Sequence, residues 1–217
     1  VLIRLHSNDR IVIQPKMAGI VLLTDPPSDQ HTRVVFLLHG KQKPNQFLYW
    51  DRRGLGTVCL WGPTEVEQKL GPCVLGPDAL TIDESDFSRR LRGSRREVKV
   101  ALLDQQMVAG VGNIYAAEIL MAAQIHPQVR CCELSNRQCG KIHQEMVRIL
   151  VQAIEHEGST LSDGTYRNAI NGEGSYQNQH LVYDREGQTC SRCQKGIIQR
   201  IVQAQRSTFF CPICQKP

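Results

Sequence analysis

The chain has 217 residues, a formal net charge of +5 and 41% hydrophobic residues. That length fits one large domain or two ordinary ones, and the apolar content excludes global disorder. No run of about 18 apolar residues occurs, which excludes a membrane-spanning helix, and no signal peptide is visible. A pI near 8.8 permits nucleic-acid binding without proving it.

The sequence opens on Val1, and VLIRL already has the pattern of a buried strand. Residues are therefore expected to be missing before it, the alternative being a processed N-terminus. From residue 1 to about 62, LIRL, RIVI, GIVLL, RVVFLL, QFLYW and TVCLW are short runs rich in branched and aromatic residues. Turn-forming stretches separate them, which predicts an antiparallel sandwich or barrel. Residues 63 to 83 carry Gly62-Pro63, Gly71-Pro72 and Gly76-Pro77 around them and read as a linker.

From 84 to 158 the apolar period becomes helical. DFSRRLRG and EVKVALLDQ are short helices, the second with Val98, Leu102 and Gln105 along one side. GNIYAAEILMAAQ is a third, and Ser135 to Glu157 a long fourth, with Ser135 as N-cap and Gly158 as the stop. Residues 159 to 189 are polar and glycine-rich, a loop long enough to expect a function for it.

Of the nine cysteines, Cys190, Cys193, Cys211 and Cys214 form two CxxC pairs, while Cys59, Cys73, Cys131, Cys132 and Cys139 are scattered. An odd total without a secretory signal points to a reducing intracellular compartment. Two CxxC knuckles separated by a hairpin-like GIIQRIVQAQRSTFF predict one structural zinc ion, the alternatives being two disulfides or free thiols. Four thiolates would leave no open position for metal catalysis. Lys195, Arg200 and Arg206 lie on or beside that hairpin and suit either phosphate contact or a solvated face. In LLDQQMVAGVGNIYAAEIL, Gly110 and Gly112 allow a tight connection, and Asn113 opens the next helix. Backbone amides there could hold a phosphate, with Lys99 adding charge; an ordinary helical hairpin fits equally.

KVALLDQQMVAGVGNIYAAEIL resembles the helix–two-turns–helix signature of formamidopyrimidine-DNA glycosylases. CSRCQKGIIQRIVQAQRSTFFCPICQ resembles their C-terminal zinc finger, LGPDAL the segment after their β domain, KMAG their methionine turn, and DRRGLG their Asp-x-Arg-x-Phe-Gly loop. The resemblance runs in order over nearly the whole chain. It implies an α+β multidomain fold: a partial antiparallel β-sandwich over 1–70, a linker over 71–83, a helix–two-turns–helix domain over 84–160, a lesion-capping loop over 161–185 and a β-hairpin zinc finger over 186–217.

The resemblance also implies a monomer that binds damaged double-stranded DNA, has no membrane partner, and works in a bacterial-type cytoplasm, at the nucleoid. Such enzymes flip the damaged base from the stack; an N-terminal proline amine attacks C1′, and the Schiff base drives β- then δ-elimination. By resemblance Met17 is the wedge that fills the gap, Arg53 reads the orphaned cytosine, and Leu55 stands where the family has Phe. Asn113 and Lys99 resemble phosphate contacts, and Arg206 a phosphate-gripping residue and proton donor in δ-elimination. His31 falls near a DNA-contacting His, on a loose alignment. Gly164 to Tyr176 corresponds to the loop that closes on the everted base. Met17 and Leu55 as core residues, and His31 as a surface residue, are the plainer readings.

The family's Pro-Glu-Leu-Pro-Glu run and a strand lysine are absent from the sequence. The missing piece is expected to be about 55 to 60 residues, judged from the family pattern and an ordinary domain size. A fragment of an intact enzyme is favoured over a truncated gene product, because a sandwich without its first third exposes apolar faces and a strand edge. These residues alone are then inactive. The leading function is a bifunctional glycosylase and abasic-site lyase for oxidised purines such as 8-oxoguanine and formamidopyrimidines. The alternatives are an endonuclease VIII-like preference for oxidised pyrimidines, a lesion-binding protein without chemistry, or a zinc-ribbon module binding protein or RNA. Arg53 in its Asp-x-Arg context favours the purine branch.

Overall fold

Alternation dictates the first third of the chain. The computed structural model describes residues 1–40, 43–161, 164 and 166–216. Six strands occur before residue 62: β1 (Leu2–Arg4), β2 (Arg10–Gln14), β3 (Gly19–Leu22), β4 (Thr32–Leu37), β5 (Gln46–Asp51) and β6 (Thr57–Trp61). They coincide with the six branched and aromatic runs. They form two three-stranded antiparallel sheets, ordered β1-β2-β6 and β3-β5-β4. Ile13 on β2 and Val58 on β6 pack with Phe47 and Tyr49 on β5 and Phe36 on β4, so the inner faces of the two sheets share one core. The opposite face of β5 carries Leu48 and Trp50, which pack with Ile20 and Leu22.

Residues 63–70, expected within the linker region, form a helix, α1 (Pro63–Leu70). Pro63 is its first residue, where a missing N–H costs nothing and a fixed φ favours the turn. The proline read as a loop signal is therefore a helix start. Four more helices follow: α2 (Glu84–Arg92), α3 (Val98–Leu102), α4 (Asn113–Ala123) and α5 (Asn136–Glu155). Asp83 caps α2 through the N–H groups of Ser85 and Asp86. At the head of α5, Ser135 and Gln138 form a reciprocal capping box, the Ser135 N–H donating to Oε1 at 2.9 Å and the Gln138 N–H to Oγ at 3.3 Å. Gly158, at φ 83°, closes the far end with its N–H on the Ala153 carbonyl at 2.7 Å. The hairpin of β7 (Gln199–Gln203) and β8 (Arg206–Phe210) completes the elements. No helix of the described residues is long and apolar enough to cross a membrane.

The chain divides into two compact units, residues 1–69 with 153–178, and residues 70–152 with 179–217. The first holds both sheets and most of the long loop; the second holds α2 to α4 and the cysteine-bearing hairpin. Ser162, Asp163 and Thr165, inside the expected lesion-capping loop, lie outside the described residues. Within the first unit the loop is tied to the segment after β3, the Leu23 N–H donating to the Ala169 carbonyl at 2.8 Å and Asn171 Nδ2 to the Asp25 carbonyl at 3.2 Å.

In the second unit a buried carboxyl ties α4 to the segment that precedes the hairpin. Glu118, only 1% exposed, sits in the apolar run of α4. Its Oε2 accepts the Leu181 N–H at 2.7 Å, and its Oε1 accepts those of Val182 at 3.0 Å and Tyr183 at 2.8 Å. Burial pushes its carboxyl up, while the three N–H groups favour the carboxylate. Replacing Glu118 by Gln sets an amide N–H₂ against a backbone donor. The expected cost is about 2 kcal/mol, with faster amide exchange at 181–183. Urea unfolding followed by far-ultraviolet circular dichroism checks this, since both tryptophans, Trp50 and Trp61, lie in the other unit. An unchanged midpoint would show that the amides do not depend on the carboxylate.

Candidate nucleic-acid interface

Sheet topology brings two loops together at one end of the first unit. β2 leaves its sheet where Gln14 pairs Thr57, and β3 enters the other where Gly19 pairs Asp51. β5 ends at that same Asp51, and β6 starts at that same Thr57. The 15–18 turn and the 52–56 loop are therefore neighbouring crossovers. Met17, in the first, is 69% exposed, and Leu55, in the second, 55%. Neither is core, so the plainer alternative for both is set aside. Arg53, in the second loop with Leu55, is exposed too.

The second crossover is organised by one carboxylate. Asp51 is 1% exposed. Oδ1 accepts the N–H groups of Arg53 at 3.1 Å and Gly54 at 3.0 Å, and Oδ2 accepts the Gly56 N–H at 2.8 Å and the Tyr49 hydroxyl at 3.0 Å. Burial alone would push the Asp51 carboxyl up, but the Gly56 N–H, the Tyr49 hydroxyl and the N–H groups of Gly54 and Arg53 outweigh it and hold it below the usual carboxylate range. Burial, and then the bond to Asp51, push the Tyr49 phenol up to about 12. Gly56 has to be glycine: a Cβ there would lie 1.8 Å from the Tyr49 hydroxyl oxygen. His31 ends a single 3₁₀ turn and stands edge-on to Trp50, with ring centroids 5.5 Å apart. It lines a shallow pocket with Ser28, Arg52 and Arg167.

In the second unit, Lys99, Asn113 and the hairpin converge. Lys99 Nζ donates to Asn113 Oδ1 at 2.6 Å and to the Ser207 carbonyl at 3.4 Å, and Asn113 Nδ2 donates to that carbonyl at 3.1 Å. Lys99 is fully buried. Expected as a phosphate contact, in this structure it lies beneath Asn113. Burial and then the neighbouring Arg206 charge bring its ammonium down to about 8. Asn113 is the first residue of α4, and Gly112 before it provides no side-chain cap to that turn. Gln105, expected on a face of α3, lies beyond the end of that helix because α3 stops at Leu102. Its side chain ties the connection instead, donating to the Val111 carbonyl at 3.0 Å and accepting the Gly110 N–H at 2.9 Å.

Arg206 is exposed as the first residue of β8, paired with Gln203 across a two-residue turn. Both turn residues, Ala204 (φ 45°) and Gln205 (φ 62°), are left-handed, as a type I′ hairpin requires. Arg200 Nε donates to Ser207 Oγ at 3.0 Å, so this guanidinium braces the hairpin. The Sγ atoms of Cys190, Cys193, Cys211 and Cys214 all lie within 4.8 Å of one another. That clustering fits a single tetrahedral structural zinc ion and excludes two well-formed disulfides, since the nearest pairs stand 3.8 and 3.9 Å apart. Sequence reasoning passed over the residues that seat this hairpin. Buried Gln215 donates to the Ile125 carbonyl at 2.9 Å and accepts the Cys211 N–H at 2.9 Å, and Gln203 donates to Glu97 at 2.7 Å. Their only signal was polarity at positions where a strand or knuckle must turn inward.

Known proteins agree with this geometry. Residues 75–165 match the helix–two-turns–helix domain of formamidopyrimidine-DNA glycosylase, and residues 187–217 match a zinc finger found in that enzyme and in isoleucyl-tRNA synthetase. Formamidopyrimidine-DNA glycosylase of Herpetosiphon aurantiacus is 38% identical, covering 99% of this chain and 77% of its own length. That of Chloroflexus aurantiacus is 37% identical, covering 99% and 76%. Among solved structures, the MutM (Fpg) protein of Thermus thermophilus superimposes with a TM-score of 0.87 at 33% identity, covering 99% of this chain and 78% of its own. A Lactococcus lactis Fpg mutant in complex with DNA containing Fapy-dG gives 0.83 at 33% identity, covering 96% and 76%. With relatives this similar over most of their own length, the chain belongs to the formamidopyrimidine-DNA glycosylase family.

Proposed function

We propose that these residues form the lesion-recognising part of a base-excision DNA glycosylase for oxidised purines, and that they bind damaged duplex DNA. One observation carries the reading. Two adjacent crossovers expose Met17 on one and Arg53 and Leu55 on the other, the second held by a buried Asp51. Exposed apolar side chains and a guanidinium on neighbouring loops suit a gap in a base stack, where the former fill space and the latter donates to a base edge. The Lactococcus lactis relative in complex with DNA containing an abasic site supports the same ligand class. His31 is proposed as an accessory contact at the same unit's surface, and residues 164–176 as the segment that covers the everted base. In the second unit, Asn113 and Arg206 are proposed to hold backbone phosphate, with Lys99 as the charge behind Asn113. Arg206 is the proposed proton donor in δ-elimination.

The chain contains no Pro-Glu-Leu-Pro-Glu run. The covalent amine chemistry implied by the family is accordingly not assigned to any of its residues, and the 217 residues are expected to bind without cleaving. Borohydride trapping with a duplex carrying 8-oxoguanine opposite cytosine should give no adduct, while an abasic-site duplex is bound tightly. A trapped adduct would overturn that division. Tighter binding to thymine glycol than to 8-oxoguanine would favour the oxidised-pyrimidine alternative.

Lys99 adds a pH signature. With an ammonium near 8, the free protein is charged there below that pH and neutral above it. A bound phosphate favours the charged form, so above pH 8 binding must take up a proton. Affinity for the abasic duplex should therefore be flat below about pH 7 and fall above 8, approaching tenfold per pH unit. Lys99→Met should flatten the profile. A wild-type profile unchanged from pH 7 to 9.5 would remove Lys99 from the interface.

Zinc has a separate role. Four thiolates complete its shell, so it supplies structure and no catalytic position. Chelation should unfold the β7–β8 hairpin and weaken DNA binding, because Arg206 loses its strand. Unchanged affinity after zinc loss would show that Arg206 is not a contact.

A further inference from the structure

We propose that Arg33 is a further DNA-binding residue, gripping a backbone phosphate beside the gap that Met17, Arg53 and Leu55 address. This rests on the damaged-duplex reading above. Nothing in the sequence distinguishes Arg33: it opens the run RVVFLL and looks like an ordinary exposed strand position.

The strand pairing makes it unusual. β4 pairs with β5 as Thr32↔Trp50 and then Val34↔Tyr49, so Arg33 is the extra residue of a β-bulge. A bulge breaks the strict alternation of a strand and re-aims one side chain. Here the side chain is aimed at the crossover loop. Arg33 Nε donates to the Asp51 carbonyl at 3.1 Å, which fixes the plane of the guanidinium. Gly54, between Arg53 and Leu55, has φ 64°, and a Cβ there would meet Arg33 Nη2 at 3.6 Å. The guanidinium thus lies over bare backbone at the middle of the loop. Arg33, Tyr49, Asp51, Gly54 and Val58 line one open groove.

The charge has no protein counterpart. Among the described residues no carboxylate forms an ion pair with Arg33. The Asp51 carboxylate, whose backbone carbonyl holds Arg33 Nε, already spends both oxygens on three N–H groups and a phenol. Arg33 is exposed, and its two terminal nitrogens keep their donors in the fork that matches a phosphate. A guanidinium held by one N–H, unpaired, and placed next to the proposed base-reading arginine is equipped for a nucleic-acid backbone. If Arg33 served only to stiffen the loop, its charge would be dispensable and its Nε bond would not.

Arg33→Gln and Arg33→Lys in the 217-residue chain separate these roles. Binding to abasic-site and undamaged duplexes is measured over a range of salt, opposite each of the four bases. For Arg33→Gln, affinity should fall about fivefold to tenfold on both duplexes at 0.1 M salt, with the slope of log K against log salt smaller by about 0.9. Opposite-base preference should not change. Arg33→Lys should keep the wild-type slope, since it keeps the charge. Thermal midpoints establish that both variants fold. An unchanged slope in Arg33→Gln, with or without a changed opposite-base preference, overturns the phosphate contact and leaves Arg33 as a loop support. Wild-type chain that shows no preference for the abasic duplex overturns the damaged-DNA reading itself, and this proposal with it.

Discussion

A buried carboxylate that gathers three backbone N–H groups is the device on which both halves of this molecule depend. Asp51 does it for the loop carrying Arg53 and Leu55, and Glu118 does it for residues 181–183 ahead of the zinc-binding hairpin. Turning loops have amides that no ladder satisfies, and leaving several buried without acceptors would cost more than a loop can return. One carboxylate with two oxygens satisfies them together and imposes a single conformation on the segment. At Asp51 the same geometry outweighs the burial cost of the charge, whereas at Glu118 burial still prevails over the three N–H groups. The loop tip is thereby set on a rigid base although the tip itself is irregular.

The hairpin faces the opposite difficulty. It has two five-residue strands and no sizeable core of its own. Zinc closes one end through four thiolates, and the type I′ turn closes the other. Between them Phe209, Ile198 and Cys211 pack with Met121 and Ala117 of α4. Gln203 and Gln215 then anchor the frame by side-chain bonds. Once the hairpin is fixed, the Ser207 carbonyl becomes a shared acceptor for Lys99 and Asn113. The polar cluster at the head of α4 is thus a consequence of hairpin placement, and residues ninety or more positions apart in sequence meet through it.

Most of the fold was legible. Six strand runs, the caps at Ser135 and Gly158 and the cysteine quartet follow from local periodicity, capping chemistry and ligand spacing, all of which are short-range. What was not legible needed three dimensions. Pro63 was ambiguous because proline both breaks and starts helices. Gln105 fell outside α3 because the helix ended a turn earlier than its apolar spacing suggested, and a glutamine serves a turn as readily as a helix face. The burial of Lys99 depends on a hairpin more than a hundred residues downstream. The bulge at Arg33 arises from a register slip against β5, and no pattern within RVVFLL marks it. Residues named by resemblance, Met17 and Leu55 above all, could not be told from core by composition; their exposure followed from the two crossovers lying side by side.

By resemblance, Leu55 stands where the family has Phe. Met17 and Leu55 both keep apolar surface in water in the free protein, an arrangement that folding alone does not favour. A branched aliphatic side chain can fill a gap in a base stack, but it lacks the flat face with which an aromatic ring stacks on the neighbouring pair. Space filling is indifferent to which base is left unpaired. Under the proposed reading, discrimination falls on directed hydrogen bonds, which Arg53 can supply and Leu55 cannot. Those bonds are only as selective as the guanidinium is well placed, and Arg53 takes its backbone position from Asp51. If Leu55 is the proposed wedge, its weaker stacking raises the demand on loop rigidity, and the four donors converging on Asp51 and the lack of space for a side chain at Gly56 supply that rigidity.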